Sequence, residues 1–200
     1  MKRWALLCGA LLLFSGMLAG TASAQTFEAF GGYSYFRFNP GDDANGANFN
    51  GGSGSLAFNA TPWLGVVADF GGYHWGGSAD EGITSANAVT YMFGPKVSYH
   101  AGPIVPFAQV LFGGIHGTIN GPVCEDDARV HREGCDEENE SFSENAFAMA
   151  LGGGVDWNAT EHLGVRLIQV EYVMTRFNTD FAASNSQNNV RISAGVTFRF

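Results

Sequence analysis

Two hundred residues is the length of one ordinary domain, and a 46% hydrophobic content excludes general disorder. Only 14% of residues are charged, lysine occurs just at Lys2 and Lys96, and the formal net charge is −9. That is too little charge for a surface wholly in water, and the wrong sign for a nucleic-acid binder, which needs basic patches for phosphate.

The chain opens on MKRWALLCGALLLFSGMLAGTASA, with two basic residues, an apolar run from Trp4 to about Leu18 and the small triplet Ala22-Ser23-Ala24. This is the layout of a secretory signal peptide over residues 1–24, cut before Gln25 to leave a second segment, 25–200. Removal leaves 200 − 24 = 176 residues, and loss of Lys2 and Arg3 takes the charge from −9 to −11. The shortness of the run, and Gly9, Ser15 and Gly16 within it, argue against an uncleaved anchor.

Downstream, no helical periodicity lasts beyond a turn or two, and period-2 alternation replaces it. Eight strands are predicted in order: Phe27–Phe36, Ser53–Asn59, Leu64–Trp75, Ala88–Tyr99, Val105–His116, Asn145–Trp157, Leu163–Arg176 and Asn189–Phe200. In the fourth, Val89, Tyr91, Phe93, Pro95 and Val97 oppose Thr90, Met92, Gly94, Lys96 and Ser98. In the sixth, Phe147, Met149, Leu151, Val155 and Trp157 oppose Ala, Gly and Asp positions. In the eighth, Val190, Ile192, Ala194, Val196, Phe198 and Phe200 oppose Arg191, Ser193, Gly195, Thr197 and Arg199.

The connections alternate strictly in length. Ala60–Trp63, His100–Ile104 and Asn158–His162 are short, whereas Arg37–Gly52, Gly76–Asn87, Gly117–Glu144 and Phe177–Asn188 are longer and polar. NATPWLGV (Asn59–Val66) nearly recurs as NATEHLGV (Asn158–Val165), each copy on a short connection, so both are hairpin turns at one end of the sheet. The sequon Asn-Ala-Thr is turn chemistry here, since turns facing a periplasm meet no eukaryotic-type glycosyltransferase.

Eight antiparallel strands with short turns at one end, long loops at the other and both termini on the turn side describe an all-β fold, a transmembrane up-and-down β-barrel with short periplasmic turns and long extracellular loops. In lipid no strand edge can leave its backbone groups unpaired, so the sheet closes and its apolar parity faces outward. Trp63, Tyr99, Trp157, Phe198 and Phe200 are expected to form one aromatic girdle, and Tyr35, Tyr73 and Trp75 the other.

The opposite parity turns Glu28, Asp69, Lys96, Gln109, Asp156, Glu171, Arg191 and Arg199 inward as a lumen charge network of four carboxylates and three cations. A barrel of eight strands has room for side chains and little more, so the charges are expected to pair and plug it; a narrow gated pore is the alternative. Arg166 falls on the lipid parity, so it either snorkels from its place near a turn or sits on a bulge that changes the parity.

Cys124 and Cys135 form an even pair in an exported chain, which points to a disulfide within the loop GPVCEDDARVHREGCDEEN. A metal site with His116 and His131 is the weaker reading, because the spacing matches no tight Cys-His pattern. His74, His100, His116, His131 and His162 have no serine and carboxylate partner legible in the sequence, so no catalytic residue, metal or cofactor is expected. The acidic residues Glu125, Asp126, Asp127, Glu133, Asp136, Glu137, Glu138 and Glu140 fit a solvated loop and would repel phosphate.

FGGYSYFRF (Phe30–Phe38), MFGPKVSY (Met92–Tyr99), PFAQVLFGG (Pro106–Gly114), LGGGVDW (Leu151–Trp157), LIQVEY (Leu167–Tyr172) and the terminal SAGVTFRF resemble the small outer-membrane barrels typified by the OmpA membrane domain and OmpX-like proteins. That resemblance covers the mature chain and implies a place in the bacterial outer membrane, among outer-membrane lipid. Phe200, with Phe198 and Val196 at alternate preceding positions, resembles the signal read by the barrel assembly machinery, and the same likeness implies periplasmic chaperones as partners during biogenesis. No peptidoglycan-binding domain follows Phe200, so a wall-anchoring role is not implied. The long loops suit surface interaction without specifying a partner. The rival is a soluble lipocalin-like barrel, whose apolar parity would point inward under a Lys- and Glu-rich exterior.

Overall fold

The structure, a computed structural model, describes residues 26–41, 46–77, 84–100, 102–122, 139–177 and 186–200. The expected signal segment, residues 1–24, and Cys124, Cys135 and His131 lie outside the described residues. Eight antiparallel strands pair in chain order and close into a barrel: β1 (Thr26–Phe38), β2 (Ala47–Asn59), β3 (Leu64–Trp75), β4 (Ser85–Ser98), β5 (Ile104–Pro122), β6 (Asn139–Asn158), β7 (Leu163–Arg176) and β8 (Gln187–Arg199). Closure runs along β1 and β8, from Glu28 opposite Arg199 to Arg37 opposite Val190. Beyond it, the Phe200 amide donates to the Phe27 carbonyl at 2.8 Å and the Phe27 amide to the Phe200 carbonyl at 3.2 Å.

Strict alternation makes the wall two-faced. Along β4, Val89, Tyr91, Phe93 and Val97 are exposed while Thr90, Met92 and Lys96 are buried, and β8 repeats the pattern about Arg191. Apolar outside and polar inside inverts a soluble barrel, so the lipocalin-like alternative does not fit this wall. Inside, small residues let the strands approach closely. Gly32 lies opposite Gly195 at the β1–β8 seam, where a methyl group on Gly32 would sit 2.2 Å from the Ala194 carbonyl oxygen.

The recurring Asn-Ala-Thr segments make the same turn twice. Thr61 Oγ1 accepts from the Leu64 amide at 3.0 Å while the Thr61 amide donates to the Leu64 carbonyl at 3.1 Å. In the second copy the corresponding Thr160–Leu163 distances are 3.0 and 2.9 Å. The glycine after each leucine is where the leading asparagine folds over: a Cβ on Gly65 would meet Asn59 Oδ1 at 2.5 Å, and one on Gly164 would meet Asn158 Oδ1 at 3.3 Å. Each turn is also tied sideways, the Trp63 carbonyl accepting from Ser98 and the His162 carbonyl from Arg199, both at 2.9 Å. The third short connection turns through Gly102, whose φ of 86° lies in the left-handed region open to glycine.

Six strands extend further toward the loops than their alternation predicts, β1, β4 and β8 by two or three residues and the other three by six. β2 begins at Ala47 instead of Ser53, β5 runs on to Pro122, and β6 begins at Asn139. β5 and β6 pair as far as Pro122 opposite Asn139, whereas the last β6–β7 pair is Phe147 opposite Arg176. Polar cross-strand pairs mark this end of the outer face. Tyr33 donates to Asn50 at 2.5 Å and Tyr35 to Asn48 at 2.7 Å, His74 joins Asn87 at 2.8 Å, His116 joins Asn145 at 3.0 Å, and Tyr172 donates to Asn188. Every loop-linked hairpin carries at least one such pair.

The expected girdle needs one correction. Trp63, Tyr99, Trp157, Phe198 and Phe200 do project outward at the turn end. At the other end Tyr73 is 4% exposed and Trp75 packs on buried Phe49 at 6.0 Å, so both face the lumen. They share the parity of Asp69, which places them on the inner face.

Candidate functional site in the barrel interior

Two ion clusters fill the lumen toward the turn end. In the first, Glu28 on β1 takes Lys96 from β4 at 2.6 Å, Arg166 from β7 at 3.2 Å and Arg199 from β8 at 3.4 Å. Arg166 also grips Asp156 on β6 with two parallel bonds, Nε to Oδ1 at 2.8 Å and Nη2 to Oδ2 at 3.1 Å. Its guanidinium lies between two rings, 4.3 Å from the centroids of both Phe30 and Phe107. Planar, bidentate and stacked, it is a role lysine does not fill.

The second cluster lies above the first. Arg191 on β8 reaches Asp69 on β3 with Nη1 at 2.7 Å and Glu171 on β7 with Nε at 2.6 Å. Nη2 approaches Glu171 Oε2 to 2.6 Å without hydrogen-bond geometry. Arg191 Nη1 further donates to Tyr73 Oη at 3.4 Å, and that hydroxyl meets Ser34 at 3.3 Å. Gln109 donates to Glu171 at 2.8 Å, and Gln169, two residues before Glu171 on β7, accepts from Arg166 at 2.7 Å.

Arg166 departs from simple parity because of a bulge. Arg166 pairs Gly195 and Gln169 pairs Ser193, so Leu167 and Ile168 together oppose one residue of β8 and both point outward. The extra residue flips the strand and turns Arg166 inward. With it, the two clusters hold four cations, Lys96, Arg166, Arg191 and Arg199, against four carboxylates, Glu28, Asp69, Asp156 and Glu171. Their formal charges cancel.

Sequence reasoning overlooked Phe30, Phe107, Tyr73 and Gln169. The first three were available from parity, since Phe30 alternates with Glu28, Phe107 with Gln109 and Tyr73 with Asp69. Gln169 lies past the bulge, where counting by two fails.

Toward the loops the interior changes character. Phe36, Phe49, Ile115 and Phe177 are buried, with Phe38 and Trp75 packed against them, around a cavity of about 130 Å³ whose lining, among the described residues, includes no charged side chain. Phe38 meets Phe49 and Phe177 edge to face, at 82° and 84°. A polar knot borders Phe177: Gln187 Oε1 accepts from Thr175 and from the Phe177 amide, each at 3.1 Å, and Asn189 accepts from the Asn39 amide at 2.9 Å.

Among the described residues no group of three His, Cys, Asp or Glu side chains could hold a metal ion. His74 and His116 bond asparagines on the outer wall, and His162 Nδ1 lies 3.1 Å from the Arg199 carbonyl oxygen.

A closed wall with an inverted polarity meets an independent finding from sequence: the family model for the outer membrane protein beta-barrel domain matches residues 6–200. The chain belongs to that family. Its place is the bacterial outer membrane, and its outer face meets lipid. Among curated proteins no sequence matches. Solved structures do. Ail, the attachment invasion locus protein of Yersinia pestis, is similar at 16% identity with a TM-score of 0.60, over 88% of this chain and 99% of Ail. Neisserial surface protein A is similar at 10% identity and TM-score 0.61, over 88% and 100%. A major outer membrane protein from Thermus thermophilus is similar at 12% identity and TM-score 0.51, over 88% and 100%. At these identities the likeness is one of fold.

Proposed function

We propose that this protein is a non-catalytic, structural or surface-interaction barrel whose lumen does not conduct ions. The observation that carries the reading is the charge balance: four cations and four carboxylates, joined by short contacts across β1, β3, β4, β6, β7 and β8. A permeant ion would have to break pairs whose separated members are each costly to leave unpaired in the interior. Planar-bilayer recording of the purified, refolded protein tests this. Closed traces with at most rare, small openings are expected, and a steady, large conductance would promote the gated-pore alternative.

In this reading residues 1–24 direct export and are removed before Gln25. Phe200, Phe198 and Val196 form the end recognised by the assembly machinery after delivery by periplasmic chaperones, and Cys124 and Cys135 are linked within their loop. All surface interaction falls to the loops. Ail has been solved with the heparin analogue sucrose octasulfate. The acidic run Glu133 to Glu140 argues for a different class of partner here, since it would repel a sulfated sugar.

A further inference from the structure

The cavity at the loop end has no part in the closed-lumen reading, and its chemistry is that of a binding site. We infer that it takes up one small, uncharged, single-ring aromatic molecule from the extracellular side.

Four observations converge on that class. The void arises where the rings of Phe36, Phe49 and Trp75 face the small residues Ala86, Ala88 and Gly117. Its volume, about 130 Å³, suits one ring, for a dry cavity of about 150 Å³ lined by Leu, Ile and Phe takes up benzene. The surrounding rings already pack edge to face: Phe36 on Phe49 at 71°, and Phe38 on Phe49 at 82°. A guest ring can extend that pattern, whereas an alkyl chain gains only area. Finally, with no charged side chain among the described lining residues, an ionised guest would lose its hydration without compensation. The cavity is blind, because Tyr73, in contact with Phe36 at 5.3 Å, and Arg191 beneath it close the floor. A blind cup binds and releases at one mouth; it does not transport.

The test is a toluene titration of methyl-labelled protein in lipid nanodiscs. Ile115 and Ile119 line the cup, while Ile192 faces lipid and reports mere partitioning. Saturable shifts of the Ile115 and Ile119 methyl signals are expected, with at most a linear, unsaturable drift at Ile192. Benzoate and benzylammonium, rings of similar size carrying a charge, should bind at least tenfold more weakly. Ala88→Leu, which fills the void from β4, should abolish the saturable shifts while the protein keeps its heat-modifiable gel migration. If that variant does not fold, the charged congeners in the wild-type protein decide the matter. Absence of saturation at Ile115, as when a loop segment already occupies the cup, overturns the inference. So does equal binding of toluene and benzoate, or an undiminished response in folded Ala88→Leu. None of these readouts depends on whether the barrel conducts.

Discussion

Arg166 shows how much one side chain can carry in a closed barrel. Its side chain is 2% exposed, it supplies the only charged contacts within 4 Å described for Asp156, and it stacks between two phenylalanines. Replacing it with methionine strands a buried carboxylate, so urea unfolding in lipid vesicles should show a loss of about 3–5 kcal/mol. Arg199→Ala removes a longer, 3.4 Å contact from a guanidinium 13% exposed, and should cost about 1 kcal/mol or less. Near-equal losses for the two variants would refute the ranking. Parity gave the direction of Glu28, Asp69, Lys96 and Arg191 directly, but parity presumes an unbroken count. One extra residue at Leu167–Ile168 is energetically minor and invisible in composition, and it moved the fourth cation from lipid to lumen. Tyr73 and Trp75 failed for another reason: their aromatic character suggested a membrane interface, while their parity with Asp69 already placed them inside.

The turns and the seam are the elements where sequence is least replaceable. In each Asn-Ala-Thr turn the threonine hydroxyl accepts from the leucine three residues on, so Thr61→Ala should destabilise the barrel by about 0.5–1.5 kcal/mol and Thr61→Ser should restore most of it. Equal unfolding midpoints for the serine and alanine variants would contradict that role. At the β1–β8 seam, Gly32→Val should do far more harm, because the new side chain meets backbone, the Ala194 carbonyl at 2.2 Å and the Gly195 Cα at 2.7 Å. Backbone cannot swing aside as a side-chain tip can, so the folded, heat-modifiable gel band should fall sharply for Gly32→Val. Strand ends were legible only where lipid selects them. Across the bilayer the outer face must be apolar, and alternation shows; above it Asn48, Asn50 and Asn145 occupy outward positions, so β2, β5 and β6 continue without the signal that reveals them.

For the molecule as a whole, closure sets what can be removed. Phe200 exchanges two backbone hydrogen bonds with Phe27 and turns its ring outward, so Phe200→Asp places a charge at the membrane face of the closing strand. Its level in the outer membrane should drop severely, and normal levels would count against an assembly role for this end. The proposed link between Cys124 and Cys135 is separable from the wall: thiol labelling of the unreduced, denatured protein should find neither cysteine free. Reducing it should change global stability little beyond the ~2–3 kcal/mol of a short loop closure, because the wall holds itself together without it.

The charge network also imposes an order in time. Arg191 and Arg199 both lie on β8, the last strand of the barrel in chain order, while their partners Asp69, Glu171 and Glu28 lie on β3, β7 and β1. Until that strand docks, Asp69 and Glu171 lack the cation that neutralises them, and entry of seven strands into hydrocarbon would bring unpaired carboxylates along. Partial insertion is therefore penalised in proportion to the charge awaiting its partner, and the final strand converts an unfavourable intermediate into a neutral product in one step. The residues that pair across the lumen should therefore favour entry of a finished barrel over that of a fragment.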